Sequence, residues 1–76
     1  MSEYLEFKLY KELPKTKVFN VINKKSENLL GRIGWYPQWR QYVFIPAFQT
    51  IYSSGCLKDI KDFIDNLMIE RKNNDE

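Results

Sequence analysis

The sequence contains no histidine and a single cysteine among its 76 residues. Without an imidazole there is no Ser–His or Cys–His nucleophile pair and no histidine base for proton transfer. One thiol cannot form an internal disulfide or supply a cysteine-rich zinc site. We therefore expect neither an enzyme nor a bound metal or cofactor. A chain this short also leaves little room for a small-molecule cavity.

Long apolar runs are missing as well. No uninterrupted apolar stretch approaches the ~20 residues that are needed to cross a bilayer. Residues 1–6 (MSEYLE) are acidic and mixed, unlike the apolar core of a secretory signal. Together with the lone thiol, these features predict a cytoplasmic protein that has no membrane partner.

Aromatic side chains, by contrast, are abundant. Two Trp, five Tyr and five Phe make up 16% of the chain, and hydrophobic residues make up 43%. Mean hydropathy is −0.54, but each aromatic side chain buries roughly 150–250 Å², which compensates for the short chain. The composition predicts one folded domain over residues 1–72 and a disordered tail over residues 73–76.

The net charge of +2 is unevenly distributed. Residues 15–40 carry six basic residues and one acid, whereas residues 58–72 carry four of each and are neutral. A basic region attracts phosphates. Lysines on edge strands also protect a sheet against pairing with another sheet, so this charge has two interpretations.

Residue alternation predicts β-strands in the first half of the chain. Residues 5–10 alternate apolar and polar side chains, and residues 17–23 are rich in β-branched and aromatic ones. Residues 29–36 and 39–45 predict a third and a fourth strand around a tight turn at Pro37-Gln38. Residues 50–52 are either a short edge strand or an extended connection.

The periodicity changes at Cys56. From there to about Lys72, apolar residues recur every three or four positions, which predicts an amphipathic helix capped by residues 53–55. Asp59 and Asp62 are expected near the positive end of its dipole. The predicted fold is α+β: an antiparallel meander of four strands, or five, with this C-terminal helix on one face. Ile69 is expected to point away from that face, so that either the last turn frays or the helix contacts a partner or a second copy.

A two-residue turn at Pro37-Gln38 would set the pairing of the last hairpin. Tyr36 would then oppose Trp39, and Trp35 would stack on Arg40 across the strands. Gly31 and Gly34 would make room for large aromatics on the facing strand. One face would carry Gly31, Ile33, Trp35, Arg40, Tyr42 and Phe44, and the other Leu30, Arg32, Gly34, Tyr36, Trp39, Gln41, Val43 and Ile45. Among these, Trp35, Tyr42 and Phe44 are expected to be mainly structural.

One helix covers only one face of such a sheet, so the other is expected to stay open. Aromatics among basic residues on an open face are typical of single-strand nucleic-acid platforms, where stacking is worth roughly 1–3 kcal/mol per base. Trp, Tyr and Arg equally dominate protein-binding hot spots. We expect a non-enzymatic binding module, with nucleic acid preferred slightly over protein. Phosphates are expected on Arg32, Arg40, Lys24 and Lys25, and bases on Tyr36 and Trp39.

Two strings in the second half carry a resemblance. The chain reads WYxxWRQYVFxP over residues 35–46 and CLxDIxxFI over residues 56–64. In this pattern it resembles a group of short uncharacterised proteins of phages and bacterial mobile elements, over about residues 17–67. The resemblance implies no activity and no functional residue. It implies a setting for two roles: an inhibitor or adaptor that acts on a host protein, or a DNA-associated accessory protein.

Overall fold

A computed structural model describes residues 4–74 of the chain. Four strands come first, and one helix follows them: β1 (Leu5–Glu12), β2 (Lys17–Asn23), β3 (Leu29–Tyr36), β4 (Gln41–Pro46) and α1 (Ser54–Asn74). The strands form one antiparallel sheet in the order β1-β2-β3-β4. The predicted α+β meander is confirmed, with four strands in the described part of the chain. Residues 50–52 form an irregular connection and not a fifth strand.

The core lies between the helix and one face of the sheet. Val21, Ile33 and Leu5 are almost fully buried there, and Ile60 and Leu67 of α1 complete the contact with Tyr42. Phe63 of α1 stacks on Phe7, with ring centroids 4.3 Å apart, and meets Phe19 edge to face at 4.9 Å. These contacts define the covered face, and they leave the opposite face of the sheet open.

The helix begins two residues earlier than predicted and ends later. Ser53 is its N-cap, because the Cys56 amide donates a hydrogen bond to the Ser53 hydroxyl oxygen over 3.2 Å. No acidic residue lies in the first turn. The expected dipole contribution of Asp59 and Asp62 is therefore wrong, since that effect fades beyond the first turn. The helix extends to Asn74, so residues 73–74 of the expected tail are helical, and residues 75–76 lie outside the described range.

The β3–β4 turn is two residues longer than predicted. The turn comprises residues 37–40, and Trp35 pairs with Tyr42 while Ile33 pairs with Phe44. The predicted cross-strand pairs between β3 and β4 are therefore wrong by two positions. The predicted assignment of strand residues to the two faces still holds, because side chains alternate between faces with a period of two. Trp39 and Arg40 leave the strand and belong to the turn.

The two strand glycines differ in what surrounds them. A Cβ on Gly31 would lie 2.8 Å from the Phe44 ring and 2.5 Å from the Ile45 carbonyl oxygen. Gly31 therefore makes room for an aromatic, as predicted. A Cβ on Gly34 would meet only a Val18 methyl, at 3.9 Å. The same prediction is wrong for Gly34, which leaves a gap in the open face.

Trp35 is held by the helix. The guanidinium carbon of Arg71 lies 4.0 Å from the Trp35 ring centroid, and the Tyr42 ring meets Trp35 edge to face at 5.5 Å. The predicted stacking partner, Arg40, is wrong because Arg40 lies in the turn. Phe44 meets Tyr52 edge to face at 5.3 Å. These contacts support the structural role that was expected for Trp35, Tyr42 and Phe44.

Within residues 4–74, no helix is long and apolar enough to span a bilayer.

Candidate binding surfaces

The β3–β4 turn holds an exposed indole in a fixed position. The rings of Tyr36 and Trp39 meet edge to face with centroids 4.9 Å apart. The Trp39 amide also donates to the Tyr36 carbonyl oxygen, over 3.2 Å. Trp39 nevertheless remains 66% exposed, and Tyr36 37%. We call Tyr36, Trp39 and Arg40 the turn platform.

Arg40 has an unusual backbone conformation for an arginine. Its φ is 53°, in the left-handed region that glycine adopts most readily. Such a conformation costs a non-glycine residue of order 1–3 kcal/mol. The Arg40 amide donates to the Pro37 carbonyl oxygen over 3.2 Å, which helps to fix the turn. The exposed Arg40 thus follows Trp39 in the turn at an energetic cost to the fold.

Lys15 joins this end of the sheet, and the sequence interpretation did not select it as a site residue. It lies in the turn between β1 and β2, which an antiparallel meander places at the same end as the β3–β4 turn. Thr16 and Pro37, one from each turn, line a common hollow of about 430 Å³ on the open face. Arg71 donates to the Lys15 carbonyl oxygen over 2.9 Å and so ties this turn to α1. The alternation of turns in a meander was the signal that would have identified Lys15.

Arg32 lies halfway along β3, on the open face. Its guanidinium carbon lies 4.3 Å from the Tyr10 ring centroid, and its Nε donates to Asn20 Oδ1 over 3.0 Å. The two terminal nitrogens make no hydrogen bond or ion pair with the residues that the structure describes. The guanidinium is therefore oriented by two neighbours and keeps donors for an anionic ligand.

Lys24 and Lys25 lie apart from the turn platform. They belong to the β2–β3 turn, where the Asn23 side-chain oxygen accepts a hydrogen bond from the Lys25 amide over 2.8 Å. This turn is at the opposite end of β3, about 25 Å away for an eight-residue strand. The structure brings Tyr36, Trp39 and Arg40 together, places Arg32 midway, and leaves Lys24 and Lys25 at the far end.

A second surface was missed by the sequence interpretation. Four apolar side chains are exposed between the middle of β3, where Ile45 pairs with Arg32, and that far end: Leu29 by 43%, Ile45 by 56%, Phe48 by 88% and Ile51 by 90%. We call them the apolar patch. Phe48 and Ile51 belong to an irregular loop, so no periodicity marks them. Residues 41–57 contain no charged residue, and this was the available signal.

The outer side of α1 is a solvated, ion-paired surface. Lys58 Nζ lies 2.9 Å from an Asp62 carboxylate oxygen, and Lys61 Nζ lies 2.6 Å from Asp65. The hydrogen bond from Lys58 to Asp62 lowers the pKa of Asp62, and the same bond raises the pKa of Lys58. Within residues 4–74, no three acidic or thiol side chains are grouped as metal ligands would be.

One comparison with known proteins gives a match. Over 72 residues the chain is 36% identical to an uncharacterised 9.3 kDa protein of Acholeplasma phage L2, across 93% of this chain and 92% of that protein. No protein-family model matches, and no solved structure gives a significant match. The predicted resemblance to short uncharacterised phage proteins is confirmed. The particular pattern over residues 35–64 stays a prediction.

Proposed function

The chain belongs to the family of the 9.3 kDa protein of Acholeplasma phage L2, and from this premise we propose that it is a non-enzymatic module that binds single-stranded nucleic acid at the turn platform. The relative brings no activity with it, so the proposal rests on the geometry of the platform. The cytoplasm remains the compartment we propose for this binding.

The exposed indole of Trp39 carries the proposal. Its ring is two-thirds exposed although the Tyr36 ring braces it at 4.9 Å. A pre-positioned ring loses little conformational entropy when a base stacks on it, and such a contact is worth roughly 1–3 kcal/mol. Tyr36, itself partly exposed, offers an edge for a neighbouring base.

Cations at this end of the sheet provide the second element of the proposal. Arg40 follows Trp39 directly, and Lys15 lies in the β1–β2 turn, which the strand order places at the same end of the sheet as the β3–β4 turn. A strand that continues across the open face would next meet the oriented guanidinium of Arg32. These three residues would neutralise phosphates and release counterions.

A single strand fits this surface better than a duplex. Duplex readers commonly insert a helix into the major groove. Here α1 packs its apolar side on the covered face, and its outer side carries alternating ion pairs. The open face and the β3–β4 turn therefore remain for contact with a nucleic acid. The Trp39 ring on this turn can stack only on unpaired bases.

A protein partner is the second candidate, as for an inhibitor or adaptor that acts on a host protein. The observation that favours it is the composition of the platform, because Trp, Tyr and Arg are the most frequent hot-spot residues. The two candidates differ in how affinity responds to salt. Affinity for a nucleic acid should fall with salt, whereas insertion of the rings into a protein pocket releases few counterions and should be less sensitive.

Fluorescence anisotropy with labelled DNA and RNA single strands of about 12 nucleotides tests the proposal. For three phosphate contacts we expect affinity to fall about 20-fold between 50 and 200 mM salt. Trp39→Ala should weaken binding by about 5- to 150-fold with an unchanged melting temperature. Trp39→Phe should retain most of the affinity.

The control variant is Ile69→Ala. Ile69 is 59% exposed on α1, away from the platform, so its removal should leave binding unchanged. Lack of oligonucleotide binding at 50 mM salt would exclude the nucleic-acid proposal. A large drop in melting temperature for Trp39→Ala would instead identify Trp39 as a structural residue.

A further inference from the structure

Phe48 and Ile51 are the most exposed large apolar residues that the structure describes, at 88% and 90%. They stand on a chain segment, residues 41–57, that contains no charged residue, although 29% of the whole chain is charged. Charged residues are depleted in the cores of protein interfaces, whereas nucleic-acid surfaces are enriched in cations. The composition of this segment indicates a protein partner.

The exposure of these two side chains does not come from a loose loop. The Ala47 amide donates to the Leu30 carbonyl oxygen over 2.8 Å, and the Thr50 hydroxyl donates to the Ala47 carbonyl oxygen over 3.0 Å. The Tyr52 hydroxyl donates to the same Leu30 carbonyl oxygen. Gln49 has a φ of 56° and so adopts the left-handed conformation without being glycine. The backbone is held in a conformation that presents Phe48 and Ile51 outward.

A hollow lies directly beside these projecting side chains. It has a volume of about 380 Å³ and is lined by Leu29, Gly31, Arg32, Ile45, Pro46 and Ala47. Ala47 forms one wall, and Phe48 is the next residue along the chain. The same surface therefore contains an apolar projection and an apolar depression side by side.

We propose that the apolar patch is the two-fold interface of a homodimer, in which Phe48 of each copy fills the hollow beside Ile45 of the other. A two-fold interface uses the same surface on both copies, so it requires a surface that is complementary to itself. An adjacent projection and depression meet that requirement. Arg32 lies at the edge of the hollow, where a polar rim is normal.

The size of the patch suits a dimer of modest affinity. Burying the patch and its neighbours on two copies removes on the order of 1,000 Å² in total, the size at which specific interfaces begin. The segment itself has no charge to repel its counterpart. Because the turn platform lies at the other end of β3, the dimer would present two platforms at its outer ends. Because Arg32 lines the hollow, the dimer would withdraw this residue from a bound strand, whereas Tyr36, Trp39 and Arg40 of the turn platform would stay accessible.

Sedimentation equilibrium over roughly 1 to 200 μM tests the dimer, since this is the range expected for an interface of this size. We expect the mass to rise from 9.2 kDa toward twice that value. Phe48→Asp and Ile51→Asp should each weaken dimerisation at least about 10-fold, because a carboxylate would be buried in the interface. Ile69→Asp is the matched control and should remain dimeric.

Circular dichroism tests whether each variant is folded. Phe48→Asp and Ile51→Asp should both weaken the dimer, so the conclusion does not depend on one substitution. A wild-type chain that stays monomeric at the highest concentration overturns the proposal. A dimer that Ile69→Asp dissociates, and that both patch variants leave intact, overturns it as well. A monomer that binds neutral phosphatidylcholine vesicles through Phe48 would assign the patch to a lipid surface and not to a second copy.

Discussion

The turn platform and the apolar patch lie toward opposite ends of β3, and each exposes an aromatic side chain. Trp39 of the platform is followed by Arg40, and Lys15 lies in the other turn at that end of the sheet, whereas Phe48 of the patch stands in a segment without charge. The two surfaces therefore differ in their electrostatic surroundings more than in their apolar content. Exposure makes both surfaces candidates for binding, and charge separates the partners we propose for them.

The two surfaces share one backbone device. Arg40 in the first and Gln49 in the second adopt left-handed φ angles of 53° and 56° without being glycine. In each case hydrogen bonds within the turn or loop hold the conformation, so the exposed ring beside it is presented by a fixed backbone. Because the two backbones are similar, a difference in what the two surfaces bind would be due to their difference in charge.

Among these variants, Gly31→Ala should lower the free energy of unfolding most, because it disrupts the pairing of β3 and β4 beneath the apolar patch. The new Cβ would lie 2.5 Å from the Ile45 carbonyl oxygen and 2.8 Å from the Phe44 ring. Relief of that overlap requires a shift of β4 against β3, and we expect a loss of about 1–3 kcal/mol in the free energy of unfolding. Urea denaturation measures it.

Gly34→Ala is the matched substitution near the platform. Its Cβ would meet only Val18, at 3.9 Å. Because glycine within a strand costs about 0.5–1 kcal/mol relative to alanine, stability should stay the same or rise. Equal losses for the two variants would contradict the difference in packing between the two parts of the sheet.

Arg40→Gly and Gln49→Gly should have smaller effects and compare the two surfaces directly. Glycine relieves the left-handed strain in both, so each variant should be as stable as the wild type or up to about 1 kcal/mol more stable. Only Arg40→Gly should weaken binding of single strands and reduce its salt dependence, because it removes one phosphate contact. Anisotropy at two salt concentrations measures both quantities. Unchanged affinity for Arg40→Gly would mean that the arginine does not contact the ligand.

Asp62→Asn should have the smallest effect, and it should spare both surfaces. The hydrogen bond from Lys58 lowers the pKa of Asp62 below its usual 3.8, so the folded state favours the carboxylate. Its stabilising contribution is present above that value and is lost as pH falls through the lowered pKa. The melting temperatures of wild type and variant should differ slightly at neutral pH and converge in acid. A difference that grows in acid would contradict this sign.

Much of the fold could be predicted because its determinants are local. The apolar stripe from Ile60 to Leu67 and the positions of Leu5 and Phe7 in β1 follow burial. The alternation in β1 fails at Leu9, which is 54% exposed where the register with β2 shifts. The β3–β4 register could not be derived this way. Pro37 marks a turn, but whether two or four residues form it depends on Arg40 accepting a left-handed φ, for which a glycine would have been the usual sign.

The binding surfaces could be predicted only where they follow strand patterns. Tyr36 and Trp39 stood out because they flank a turn between two strands. Phe48 and Ile51 lie in a loop whose course is set by side-chain hydrogen bonds from Thr50 and Tyr52, and no periodicity records such bonds. Lys24 and Lys25 were grouped with Arg40 by charge alone, although the strand order places them at different ends.

The order of the strands also bears on how the chain folds. Each strand pairs with its neighbour in sequence, so the sheet forms by closing three short turns, at little cost in chain entropy. The contact of Phe63 with Phe7 closes a loop that spans most of the chain, and it requires the helix to dock. The open face is therefore built from sequence-local pairings alone, whereas the core of the covered face also needs contacts between residues far apart in the chain.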